Sequence, residues 1–136
     1  MFLMDTHIWI WWVQGDKRLT DRCIAAMDKC AENEIGISII SCWEVAMLHS
    51  HGRISFSCSL DDWLEKACAY PGINILPLTR DAAVNSSRLP GDFHRDPADR
   101  MLVATAREHQ CPLITADERI LAYPHVNSIH PDQFKS

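Results

Sequence analysis

Short apolar segments recur along the chain, each separated from the next by a stretch that has the periodicity or caps of a helix, and this alternation constrains the fold more than any other feature. Phe2 to Met4, Ile35 to Ile40, Ile73 to Leu78, Pro112 to Thr115 and Val126 to Ile129 read as strands. Thr6 to Val13 reads as a helix with Trp9, Trp12 and Val13 on one face; Thr20 to about Glu32 follows with Ile24, Met27 and Ala31 at helical spacing. Ser41-Cys42-Trp43-Glu44 has capping-box spacing and opens a helix that Gly52 ends. Ser59 to Ala69 carries the stripe Leu60, Trp63, Leu64 and Ala67, and Thr79 caps a short helix ending near Leu89. Asp96-Pro97 starts a helix reaching Gln110, and Asp117 leads a last short one. Strands joined through helices run parallel with right-handed crossovers. The expected fold is therefore α/β, a mainly parallel sheet of about five strands with helices on both faces. In such sheets a site lies at the carboxyl ends of the strands.

The length of 136 residues suits one domain, taken as 1–136, whose tail after about residue 130 carries no clear signal. With 47 % hydrophobic and 23 % charged residues, the chain is neither disordered nor of low complexity. Asp5 interrupts the apolar start, no basic leader or cleavage site follows, and no apolar run approaches the ~20 residues that span a bilayer. A soluble, cytoplasmic protein without a membrane segment is expected. Cys23, Cys30, Cys42, Cys58, Cys68 and Cys111 are scattered without a C-x-x-C pair, which favours reduced, mostly buried thiols. His49 and His51 have no partner at zinc spacing.

Four acids fall at strand ends. Asp5 ends the first strand, Glu44 lies in the helix after the second, Asp99 lies one turn into the helix that Asp96 caps, and Asp117 follows the fourth strand. Carboxylates crowded into one crevice repel one another and raise their pKa values unless a cation neutralises them. An all-oxygen set without Cys or His suits Mg²⁺ or Mn²⁺ rather than zinc. A divalent ion there would activate water and stabilise a departing oxygen, which makes phosphodiester hydrolysis the reaction class. Each acid also has a structural reading: Glu44 completes the capping box with Ser41, Asp99 favours its helix dipole, and Asp117 caps the next helix. Asp96 is assigned to capping before Pro97. Thr6, Ser41 and Thr115 sit beside the acids and are placed to hydrogen-bond them from behind.

Leu3-Met4-Asp5-Thr6-His7-Ile8-Trp9, Ser41-Cys42-Trp43-Glu44-Val45-Ala46, His94-Arg95-Asp96-Pro97-Ala98-Asp99-Arg100 and Leu113-Ile114-Thr115-Ala116-Asp117 occur in that order over nearly the whole chain. Together they resemble the PIN domains, and among them the VapC-like ribonuclease toxins of type II toxin–antitoxin pairs. The resemblance implies a single three-layer PIN-like domain and a divalent-metal-dependent endoribonuclease, with Asp5, Glu44, Asp99 and Asp117 as catalytic and metal-binding acids. It also implies an RNA substrate, a homodimer, and a cognate antitoxin that covers the acidic site, often with an arginine. Many relatives carry a further acid three positions after the fourth, where this chain has Ile120, so a fifth carboxylate is not expected.

A net charge of −5 is unusual for a nucleic-acid enzyme, but the four clustered acids account for most of it. Arg88, Arg95 and Arg100 gather near the proposed mouth, with Arg100 the candidate for a substrate phosphate; a solvated face, as for Lys17 and Arg18, is the alternative. Trp11 points away from the Trp9/Trp12 face and suggests an interface. A haloacid-dehalogenase-type phosphatase would need a second acid where His7 stands, and a receiver domain would need a late lysine, whereas only Lys135 follows Lys66. The remaining alternative is a catalytically silent PIN scaffold that binds protein or RNA.

Overall fold

The computed structural model describes residues 1–135. Five strands, β1 (Phe2–Met4), β2 (Ile35–Ser38), β3 (Ile73–Leu76), β4 (Leu113–Ile114) and β5 (Ser128–Ile129), form one sheet in the order β3-β2-β1-β4-β5, and every pairing is parallel. Helices α1 (Thr6–Gln14) and α2 (Asp21–Asp28) connect β1 to β2. Helices α3 (Ile39–Ser50) and α4 (Leu60–Cys68) connect β2 to β3, α5 (Arg80–Asn85) and α6 (Pro97–His109) connect β3 to β4, and α7 (Glu118–Leu121) connects β4 to β5.

Alternation along the strands gives the sheet two buried faces. Phe2, Met4, Ile35, Ile37 and Ile114 point to one side, where they pack with Ile8, Trp9 and Trp12 of α1, Cys23 and Met27 of α2, Val45 of α3 and Trp63 and Ala67 of α4. Leu3, Leu76 and Leu113 point to the other, against Ala82 of α5, Leu102, Val103 and Ala106 of α6 and Ile120 of α7. Gly36 belongs to this second side: a Cβ there would stand 3.0 Å from Leu76 Cδ1, so the missing side chain makes room for Leu76. The chain builds outward from β1 through β2 to β3, then returns to the opposite side of β1 for β4. A right-handed crossover that reverses direction must change face, which is why α5, α6 and α7 share the second layer. The reversal also leaves a crevice at the carboxyl ends of β1 and β4, where such sheets bind ligands.

The elements lie where the alternation predicts them, with displaced ends. β2 stops at Ser38, not Ile40, because the Ser38 hydroxyl accepts the Ile40 N–H at 3.1 Å and caps α3. β3 stops at Leu76 because Pro77 has no N–H to continue the ladder. α2 ends at Asp28, before the left-handed Asn33 (φ 64°). Gly52 (φ 69°) ends α3 as predicted: its N–H reaches His49 O at 3.1 Å and that of Arg53 reaches Leu48 O at 2.9 Å. The tail is ordered into the fold, with Phe134 buried and its ring 4.6 Å from that of Phe2. All six cysteines are free and at least half-buried. Among the described residues, no helix is long and apolar enough to cross a membrane.

Candidate active site: an acidic cleft at the strand switch

Asp5, Glu44, Asp99 and Asp117 all line one cleft of about 770 Å³, at the carboxyl ends of β1 and β4, where the chain leaves the two paired strands toward opposite faces of the sheet. Asp5 is the N-cap of α1, and its backbone N–H still belongs to the sheet, donating to Ile114 O at 2.9 Å. Its Oδ1 accepts the Thr6 N–H at 2.7 Å and its Oδ2 accepts the Thr115 hydroxyl at 2.7 Å. Each oxygen of an ionised carboxylate has two acceptor sites, so one remains on each. At 6 % exposure the carboxyl is nearly sealed from water, and burial raises its pKa against the lowering effect of Thr115.

The Thr115 hydroxyl also accepts the Asp117 N–H at 3.0 Å, so a single side chain fixes the spacing of two of the acids. Asp117 caps α7 through Oδ1, which accepts the N–H groups of Arg119 at 2.8 Å and Ile120 at 3.2 Å. Burial pushes its pKa up, but those two N–H groups and the Arg119 guanidinium outweigh it and hold the carboxyl below its ordinary value. Ile120 is fully buried among the apolar residues of the second layer.

Glu44 has no capping duty. Because Ser38 caps α3, Ser41 lies inside the helix, fully buried, and the capping box expected between Ser41 and Glu44 does not form. Glu44 Oε1 instead lies 2.6 Å from the Thr6 hydroxyl, which lies 2.8 Å from that of Ser41. A hydroxyl has one proton and a carboxylate only accepts, so Thr6 donates to Glu44 and Ser41 donates to Thr6. Burial, and then the negative charge of Asp5, raise the Glu44 pKa even though Thr6 lowers it.

Asp99 is the third helical residue of α6, and the Asp96 carboxylate accepts its N–H at 2.9 Å, so Asp96 is the cap that the sequence predicts, although it too borders the cleft. The Asp99 pKa is pushed up to about 7, first by burial and then by the charges of Asp5, Asp96, Asp117 and Glu44. His94 Nε2 stands 3.0 Å from Asp99 Oδ2, an ion-pair distance without hydrogen-bond alignment. Arg100 has a different place from the one expected: its Nε donates to Ser86 O at 2.7 Å and its Nη1 to Phe93 O at 3.0 Å and His94 O at 3.1 Å. The guanidinium, engaged with three carbonyls and absent from the cleft lining, ties down the loop that carries His94.

The cations that do line the cleft are Arg18, Arg53 and Arg119, together with His7 and Trp11. Sequence reasoning did not place these residues there. Trp11 is half-buried, packing in part against the core while it lines the cleft; the exposed tryptophan is Trp43, which with Ile39 and Met47 forms an apolar stripe at four-residue spacing on α3. Among the described residues, no three His, Cys, Asp or Glu side chains stand as a closed ligand set. Asp5 and Glu44 face hydroxyls, Asp99 faces His94 and Asp117 faces its own helix.

A parallel α/β sheet with four carboxylates converging at its switch point is the arrangement of an acid-cluster nuclease fold. The family model described as "PIN domain" matches residues 2–126, and the chain belongs to that family. "Ribonuclease VapC22" of Mycobacterium tuberculosis is 31 % identical over 123 residues, covering 90 % of this chain and 92 % of that protein. Solved structures with the same fold include a toxin–antitoxin complex from Klebsiella pneumoniae, with TM-score 0.67, 22 % identity, and 96 % of this chain and 98 % of that one covered. VapBC2 from Rickettsia felis, bound to a DNA fragment from its promoter, has TM-score 0.68 at 11 % identity, covering 95 % and 97 %. FitAcB from Neisseria gonorrhoeae has TM-score 0.67 at 19 % identity, covering 98 % and 100 %.

Proposed function

We propose that this chain is a Mg²⁺- or Mn²⁺-dependent endoribonuclease and the toxin of a toxin–antitoxin pair, acting in the cytoplasm where its RNA substrate is found. The observation that carries the reading is the convergence of Asp5, Glu44, Asp99 and Asp117 on one cleft of a PIN fold. The curated relative named a ribonuclease and the structural neighbours solved with antitoxins support it.

The donor set fits a hard divalent ion in chemistry and in sign: the four acids offer carboxylate oxygens, and their mutual repulsion adds to burial in raising the Asp99 pKa. Asp5 and Asp99 would be the principal ligands, with Glu44 and Asp117 completing the set as their side chains turn from their present partners. The ion would supply activation of water and stabilisation of charge on the departing oxygen. Thr115 holds the buried Asp5 carboxyl in place and opposes the rise in pKa that burial causes, and Thr6, itself held by Ser41, opposes the same rise at Glu44. Arg119, 3.5 Å from Asp117 and at the cleft wall, is better placed than Arg100 for a substrate phosphate. The Ile39–Trp43–Met47 stripe supports a homodimer. An antitoxin that offers a cation to the cleft would meet the charge the metal otherwise neutralises.

Purified protein should cleave generic single-stranded RNA with Mg²⁺ and lose at least ~10²-fold in rate as Asp5→Asn or Asp99→Asn, a loss of about 3 kcal/mol in transition-state stabilisation. Undiminished cleavage by both variants would overturn the assignment, and no cleavage by any form would favour the silent scaffold. Growth arrest on expression, relieved by the product of the adjacent reading frame, tests the toxin role.

A further inference from the structure

The cleft has a binding problem that its acids create. Six carboxylates line it, those of Asp5, Asp16, Glu44, Asp96, Asp99 and Asp117, against the arginines Arg18, Arg53 and Arg119, and two of these three already face Asp16 and Asp117. Charge alone seats a polyanion poorly there. A contact indifferent to charge is needed, and α1 provides one.

Of the three tryptophans in α1, two are absorbed by the core. Trp9 is fully buried with its ring 5.3 Å from that of Trp63, and Trp12 packs 4.7 Å from Tyr70 while its indole N–H donates to Asp28 at 3.1 Å. Trp11 is half-buried and lies on the other face of the helix, where His7, Ile10 and Gln14 also line the cleft at helical spacing. The turn after α1 is built around it. Gly15 is left-handed (φ 65°), the Asp16 N–H returns to Trp11 O at 2.8 Å, and Asp16 Oδ1 accepts the Arg18 N–H at 2.8 Å. The chain is thereby folded back so that the Arg18 guanidinium lies 5.1 Å from the centre of the Trp11 ring.

We propose that Trp11 is a stacking platform for an unpaired nucleobase beside the phosphate to be cleaved, the base taking the place over the ring that the exposed Arg18 guanidinium occupies and Arg18 moving to the adjoining phosphate. This rests on the ribonuclease reading and gives it a substrate requirement. Every base has a π face, so the platform accepts any base that is unpaired, whereas bases inside a duplex cannot reach it. Specificity for single strands follows from Trp11 rather than from the acids.

The test measures binding of a short fluorescein-labelled single-stranded oligoribonucleotide, and of the same sequence annealed to its complement, to the Asp99→Asn protein with Mg²⁺ present. The single strand should bind at least about 10-fold tighter than the duplex. Adding Trp11→Ala should weaken single-strand binding about 10-fold, while Trp11→Phe should stay within about 3-fold, a rescue that a role in packing alone would not discriminate in binding at unchanged Tm. Arg18→Gln should make the dependence of log K on log salt shallower by about one. In otherwise wild-type protein, Trp11→Ala should raise KM with little change in kcat. Equal binding by Trp11→Ala and its parent overturns the platform while metal-dependent cleavage by wild type leaves the nuclease reading intact. No binding of either RNA by the parent also overturns the platform, and absence of wild-type cleavage overturns the nuclease reading separately.

Discussion

Replacing Asp99 by Asn in metal-free protein isolates the electrostatic cost of the acidic cleft. Asp99 titrates at about 7 instead of its ordinary 3.8, because it is buried and faces the charges of Asp5, Asp96, Asp117 and Glu44. A carboxyl whose folded-state pKa lies above its unfolded one holds its proton more tightly when folded. The folded state therefore binds more protons between about pH 4 and 7, stability falls as pH rises through that window, and the whole penalty is present above it. A displacement of about three units at ~1.4 kcal/mol each gives up to about 4 kcal/mol. Asparagine has no charge to penalise. Circular-dichroism melts in EDTA should show the two proteins nearly alike at about pH 4 and the variant melting higher at about pH 8, by up to roughly 12 °C at ~3 °C per kcal/mol for a chain of this length. Added Mg²⁺ at the higher pH should raise the wild-type Tm and leave that of the variant nearly unchanged, because the ion relieves a repulsion the variant no longer has. Parallel Tm-against-pH curves for the two proteins would refute the reasoning.

Two further substitutions probe the supports of the site. Thr115→Val keeps the shape but removes a donor to buried Asp5 and an acceptor for the Asp117 N–H; denaturant unfolding should show a loss of about 1–3 kcal/mol, with a still larger fall in RNA cleavage than the loss of folded protein explains. Arg100→Ala frees three carbonyls of the 86–94 loop and should cost about 2–4 kcal/mol in the same assay, while the salt dependence of RNA binding stays as in wild type; a shallower salt slope would restore Arg100 to the phosphate.

Local pattern made most of the scaffold legible. Alternating strand and helix signals dictated a parallel sheet, and the rule that its site lies at the carboxyl ends of strands singled out Asp5, Glu44, Asp99 and Asp117, all of which line the cleft. Where two local signals competed, pattern misled: Ile39 and Ile40 read as strand and Ser41 as a cap, until Ser38 turned the chain into α3 ahead of them. Glu44 thereby lost its structural excuse and became a side chain facing the cleft.

What the sequence determined by itself is the set of contacts made within an element or its cap: the periodicity of α1, the Asp96 cap before Pro97, the glycine stop at Gly52, and the acid at each strand end. What only the tertiary structure decided is which groups face one another across elements. Thr115 meets Asp5 from 110 residues away, Ser41 and Glu44 meet Thr6, and Arg100 goes to a loop rather than to substrate. Trp11 turns out to line the cleft wall. The physical reason is that a helix face or a cap is fixed by neighbours in the chain, whereas the partner of a long polar side chain is fixed by sheet order and register, which bring distant residues within hydrogen-bond reach only after the layers have packed.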